Sequence, residues 1–149
     1  MKMNKDIIYK LTIISGLIPA TILLLLTIIG ISNIFSFHEI RFKEFIVFTS
    51  MILGIVGYVG LLTSLIFNNK TILNLILLLL GLIGFVIFTS FEGGLYAWKW
   101  IITMEEPEEW FIPVWPNVVS LIGIVVNSFK IIKKAKNEQK HTFPNHRLG

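Results

Sequence analysis

Four carboxylates crowd into five positions at Glu105-Glu106-Pro107-Glu108-Glu109, the densest set of groups in the chain that could do chemistry. Such a run could hold a divalent cation, but it lacks the alternating ligand spacing and the glycine turn of a calcium loop. A solvated acidic loop, or a charged patch facing a partner, asks less of it. His38, Glu39 and Glu44 could act as acid and base. Glu39 and Lys43 stand four residues apart, and a surface ion pair on an extension of the first helix explains them better. His141 and His146 match no metal motif. The sequence contains no GxSxG, HExxH, phosphate loop or dinucleotide fingerprint. Cysteine is absent, which removes thiol nucleophiles, thiolate metal sites and disulfides together. No catalytic set is assembled, and no cofactor or metal is expected.

Composition decides which elements must carry these groups. Hydrophobic residues make up 54% of the 149 and charged residues 15%, with a mean hydropathy of +0.78. A soluble domain has about 25% charged residues, so a soluble enzyme, a secreted disulfide scaffold and a disordered chain are all excluded. The charges are clumped, leaving runs 11–37, 45–69, 71–91 and 110–129 without any. About 20 apolar residues cross roughly 30 Å of hydrocarbon. Each run is long enough. The expected fold class is an all-α integral membrane four-helix bundle, with spans at about 11–37, 45–67, 71–90 and 113–132.

The first span follows Lys2, Lys5 and Lys10 but ends in no small-residue cleavage site, so it reads as a retained helix. Pro19 should kink it and free the carbonyl of Ser15. Only Asn68-Asn69-Lys70 separates spans two and three, which must form an antiparallel hairpin, with Asn69 or Thr71 as the natural N-cap. Pro113 and Pro116 are expected in the first turn of the fourth helix, where proline is harmless. Gly93-Gly94 should break the third helix. Positions 95–104 are too short to span and too apolar for a solvated loop, so they are expected at the interface.

Four spans put both termini on one side. That side holds ten of the 13 basic residues, and the other holds only Arg41, Lys43 and Lys99. The positive-inside rule assigns both termini to the cytoplasm, with residues 133–149 as a basic tail, in a plasma membrane of the bacterial inner-membrane type. Trp98, Trp100, Trp110 and Trp115 all fall near the expected outer boundary, where indoles are stable.

Each span carries a stripe of small or polar residues. Gly16 and Ala20 lie on the first, Ser50, Gly54, Gly57 and Ser64 on the second, Asn74, Gly81 and Gly84 on the third, Ser120 and Asn127 on the fourth. Lipid gives helices no hydrophobic reason to associate, so close backbone approach and interhelical hydrogen bonds must do it, and these residues are expected to pack helix on helix. Tyr58 should bond a neighbouring helix's carbonyl. No charge lies in the middle of any span, which argues against ion-coupled transport. The basic tail has no aromatic platform, and no nucleic-acid partner is expected.

The expectation for function is a small non-catalytic membrane protein. It would act through helix and outer-loop contacts with another membrane-embedded protein, or with itself, as an immunity protein against a membrane-active toxin or an accessory subunit does. Trp98, Trp100, Glu105, Glu106, Glu108, Glu109 and Trp110 are the candidate contacts, since tryptophan is enriched at hot spots and carboxylates complement a cationic segment. The alternative is an oligomeric pore or carrier using the polar stripe of the fourth helix, and the third a membrane enzyme with outer-loop chemistry.

Overall fold

The computed structural model describes residues 5–34, 42–67, 70–103 and 106–142. Over these the chain is helical: α1 Lys5–Ile34, α2 Phe42–Ile66, α3 Thr71–Phe88, a π-helical turn Thr89–Gly93, α4 Gly94–Thr103 and α5 Pro107–Thr142. Four stretches are long and apolar enough to cross a membrane: Asp6–Asn33, Phe42–Ile66, Thr71–Thr103 and Glu109–Glu138.

The long helices close a ring in the order α1, α2, α3, α5, and α2 barely meets α5 across the diagonal. Neighbours run antiparallel. Gly57 lies opposite Gly81, Gly16 opposite Val119 and Gly30 opposite Met51. One end of the bundle, the terminal end, therefore gathers the start of α1, the α2–α3 turn and the finish of α5. The other, the loop end, gathers the π-turn, α4 and the start of α5. Tyr9, Ile13, Ala20, Leu61, Leu78 and Val119 form the buried core, weighted toward the terminal end. Large apolar side chains such as Ile18, Leu25, Ile66, Ile72 and Phe129 stay on the outside.

Several local expectations are corrected. The fourth long helix starts at Pro107, six residues earlier than position 113. The carbonyl of Glu106 accepts the N–H groups of Glu109 at 3.1 Å and Trp110 at 3.0 Å, and proline at the first helical position leaves no donor wasted. Carboxylates in that turn also favour the positive end of the helix dipole. Pro113 and Pro116 thus lie inside the helix, where each removes one backbone hydrogen bond. At its other end α5 continues past 132 to Thr142, so the first part of the basic tail is helical. Its Lys, Ala, Gln and Glu are good helix formers, and Lys134 faces Glu138 at 4.0 Å one turn on.

At the α2–α3 hairpin the N-cap of α3 is Lys70, which makes no side-chain capping bond. Asn74 does the locking instead: its Nδ2 donates to the Phe67 carbonyl at 3.1 Å, and its backbone N–H to the Lys70 carbonyl at 3.0 Å. Between α3 and α4 the helix widens before it breaks. Gly94 donates its N–H to the Thr89 carbonyl and takes φ +53, ψ −143, a conformation that a Cβ would oppose. The break sits at Gly94 alone.

Candidate functional site

The loop end carries most of the residues singled out as contacts, and α4 is its distinctive element. A straight helix would separate Phe85 from Trp98 by about 20 Å. Their rings instead meet edge to face with centroids 6.4 Å apart, because the chain bends sharply at Gly94. Trp98 donates its indole N–H to Ser90 Oγ at 3.2 Å. Trp110, on the first turn of α5, donates its own to the Ile101 carbonyl at 3.0 Å. The two indoles thus tether α4 at its middle and in its last turn. Its outward face is left bare: Leu95 is 90% exposed, Tyr96 80% and Ile102 76%.

The structure therefore distributes the proposed contacts unevenly. Trp98, Trp100 and Trp110 are half-buried, and two of them are committed to tethering. Glu106 and Glu109 are exposed beside the start of α5. Glu108 belongs to the same turn, while Glu105 lies outside the described residues, as do His38, Glu39 and His146. Lys43 sits in the first turn of α2 and stands 3.7 Å from Glu92 of the π-turn. Trp115 stands apart from the other three tryptophans. It packs against the core and donates to Ser15 Oγ of α1 at 3.3 Å, with Phe111 stacked on it. Sequence reasoning puts positions 95–104 at the interface but does not single out Leu95, Tyr96 and Ile102 as contacts, because only the position of the bend shows which face is covered.

The loop-end part of the bundle opens into a cavity of about 390 Å³. Leu23, Leu24 and Thr27 of α1, Ser50, Met51, Gly54 and Tyr58 of α2, Gly84 and Phe85 of α3, and Pro113, Pro116 and Asn117 of α5 are among its walls. Most come from the loop-end half of their helices, and Tyr58 lies just past the middle of α2. Its polar groups are engaged locally: Thr27 bonds the Leu23 carbonyl, Ser50 that of Val47, Asn117 that of Pro113 and Ser120 that of Pro116. Tyr58 reaches Thr21 Oγ1 of α1 at 3.3 Å. Thr21 already donates its proton to the Leu17 carbonyl, so Tyr58 is the donor, and its acceptor is a hydroxyl rather than the expected carbonyl.

Toward the terminal end the cavity closes. Ile13, Leu61, Leu78 and Val119 are at most 2% exposed and plug the ring. Asn127 donates to the Tyr9 hydroxyl at 3.4 Å and to the Gly123 carbonyl at 2.9 Å, and Lys130 lies over the Tyr9 ring at 5.0 Å. Ser64 and Asn74 are also 1% exposed there, and among the described residues Ser64 Oγ and Asn74 Oδ1 have no hydrogen-bond partner.

The remaining stripe residues sort by contact. A Cβ on Gly16 would stand 2.7 Å from Val119 Cβ, and one on Gly84 2.6 Å from Leu53 Cβ. Ala20, Ser50 and Ser120 are buried. Gly54 differs from the rest, since a Cβ there would meet nothing within 4 Å and would point into open space.

Comparison with models of known families, with curated proteins and with solved structures finds no match. The geometry alone therefore carries the functional reading. Among the described residues no three His, Asp or Glu side chains converge as a metal set.

Proposed function

We propose that the chain is a non-catalytic integral membrane protein of a bacterial-type inner membrane, both termini cytoplasmic, that acts by contact with another membrane-embedded protein. Two observations support the membrane placement. Large apolar side chains face outward while glycine, serine and asparagine meet inside, an arrangement suited to hydrocarbon rather than water. Ten of the 13 basic residues belong to the terminal end or its flanking sequence, which the positive-inside rule puts in the cytoplasm.

The observation that carries the partner reading is the bare face of α4. Leu95, Tyr96 and Ile102 project from a helix held at its middle and its last turn by indole hydrogen bonds, so the face is presented on a fixed frame. Glu106 and Glu109 are exposed at the start of α5, which Trp110 ties to α4, and their charge suits a partner with a cationic segment beside an apolar one. Immunity against a membrane-active toxin is the particular role of this kind to test first. A pore through the single chain has less support, because Ile13, Leu61, Leu78 and Val119 fill the terminal half of the ring.

The test is co-expression with the toxin or membrane protein encoded beside this gene, following membrane potential. A photo-crosslinking amino acid stands at Leu95, Tyr96 or Ile102, with Phe129 as the control position. The expected result is protection of the potential and a discrete adduct to that neighbour from the α4 positions only. Protection that survives charged replacements at all three would move the contact elsewhere on the bundle. No protection, together with ion flux from the purified chain in liposomes, would support the pore instead.

A further inference from the structure

We propose that the loop-end cavity holds one acyl chain of a phospholipid with an ammonium-bearing headgroup of the phosphatidylethanolamine type, its headgroup seated in the adjoining cleft. This rests on the membrane placement above but not on the partner face. Size comes first. An apolar cavity of about 150 Å³ takes the six carbons of benzene. By that scale the 390 Å³ here takes on the order of 15 carbons, the length of a fatty acyl chain.

The lining chemistry agrees. Hydroxyls and amides in the wall are bonded to carbonyls of their own helices or, for Tyr58, to Thr21, so the surface offered to an occupant is mainly apolar. A dry apolar space of this kind favours hydrocarbon over water. Leu26 and Phe88 line the cavity and are also exposed, so it communicates with the outside of the bundle, where acyl chains would be the solvent.

The mouth supplies the headgroup argument. A second cleft shares Met51 and Phe88 with the cavity and is lined by Lys43, Glu44 and Glu92. Lys43 lies seven residues before Ser50, about 10 Å further along α2 by helix rise, which is where a headgroup would sit above a buried chain. Lys43 and Glu92 stand 3.7 Å apart at the surface there, a loose pair in which a headgroup's phosphate and ammonium would each meet an opposite charge. The two carboxylates lining the cleft disfavour a headgroup that is only anionic.

Gly54 provides the probe. It lines the cavity and has open space where its Cβ would go, so Gly54→Phe fills the site with little demand on the surrounding packing. The full chain is reconstituted in vesicles containing phosphatidylethanolamine with a mid-chain diazirine, or phosphatidylglycerol carrying the same chain, and adducts are mapped by mass spectrometry. Leu24, Met51 and Phe85 should label with the ethanolamine lipid roughly tenfold more than with the glycerol lipid, the factor one charge-assisted contact supplies. Gly54→Phe should abolish those adducts and leave labelling of outward Leu25 and Phe129 unchanged. For the unaltered protein, excess unlabelled phosphatidylethanolamine should suppress the cavity adducts before the outward ones, a readout that needs no variant to fold. Cavity residues labelling no more than Leu25 and Phe129, or labelling equally with both lipids, would overturn the proposal and leave the membrane placement standing. Absence of adducts at Leu25 and Phe129 as well would overturn both.

Discussion

Gly57 of α2 and Gly81 of α3 face each other so closely that a Cβ on Gly57 would stand 2.6 Å from the Gly81 Cα. The obstacle is backbone, which no rotamer change can move aside. Three residues away on the open side, Gly54 has no such neighbour.

These glycines should therefore respond oppositely to substitution. Gly57→Leu is expected to force α2 and α3 apart and to cost about 1–3 kcal/mol by overpacking. Gly54→Leu should change stability little. Thermal unfolding in detergent, read by helical circular dichroism, checks the pair. Equal losses at both positions would mean that the cavity is filled by protein.

The Tyr9–Asn127 contact joins α1 to α5 at the terminal end. Interhelical hydrogen bonds in membrane proteins average about 0.6 kcal/mol. Tyr9→Phe should cost about that much. A double-mutant cycle with Asn127→Leu should return a coupling of the same size, and a coupling near zero would show that the two side chains act separately.

Trp110 should matter to α4 more than to the bundle. Trp110→Phe keeps the ring bulk and deletes the bond to the Ile101 carbonyl, about 1 kcal/mol. Amide exchange in α4 is expected to rise roughly fivefold, the factor that energy implies, while exchange in α1 stays as it was. Unchanged exchange in α4 would leave Trp98 as the tether that counts.

Ser64→Ala offers a test with the opposite sign. The Ser64 hydroxyl is buried and without a hydrogen-bond partner among the described residues, and burying such a group is costly. The variant should be as stable as the parent or slightly more so. A clear loss would reveal a partner for this hydroxyl among the residues flanking the α2–α3 turn.

The helices were legible in the sequence where physics leaves little choice. Charge-free runs long enough to cross a bilayer are also runs that must satisfy their own backbone; α2 and α3 follow them closely, while α1 starts at Lys5, six residues before its run. The start of α5 was harder. Pro107 behind Glu106 is a helix-start signal, but Pro113 and Pro116 looked like the first turn because proline inside a helix is expensive. Here the Asn117 and Ser120 side chains bond the carbonyls of those two prolines, and both rings line the cavity. Periodicity put Gly54 and Gly57 on one stripe, yet one meets backbone and the other open space. That difference depends on how the four helices separate toward the loop end, which no single helix encodes. The partner of Trp115 is hidden for a similar reason: Ser15 lies 100 positions away.

The partner face on α4 requires the loop end to lie on the outer side of the membrane and the terminal end on the cytoplasmic side. The chain has no cysteine, so single cysteines introduced at Glu106 and Lys136 report without background. In intact cells a membrane-impermeant maleimide should label Glu106→Cys, and it should label Lys136→Cys only after permeabilisation. Labelling of both from the same side would contradict the four-span arrangement, and labelling of Lys136→Cys alone in intact cells would invert it.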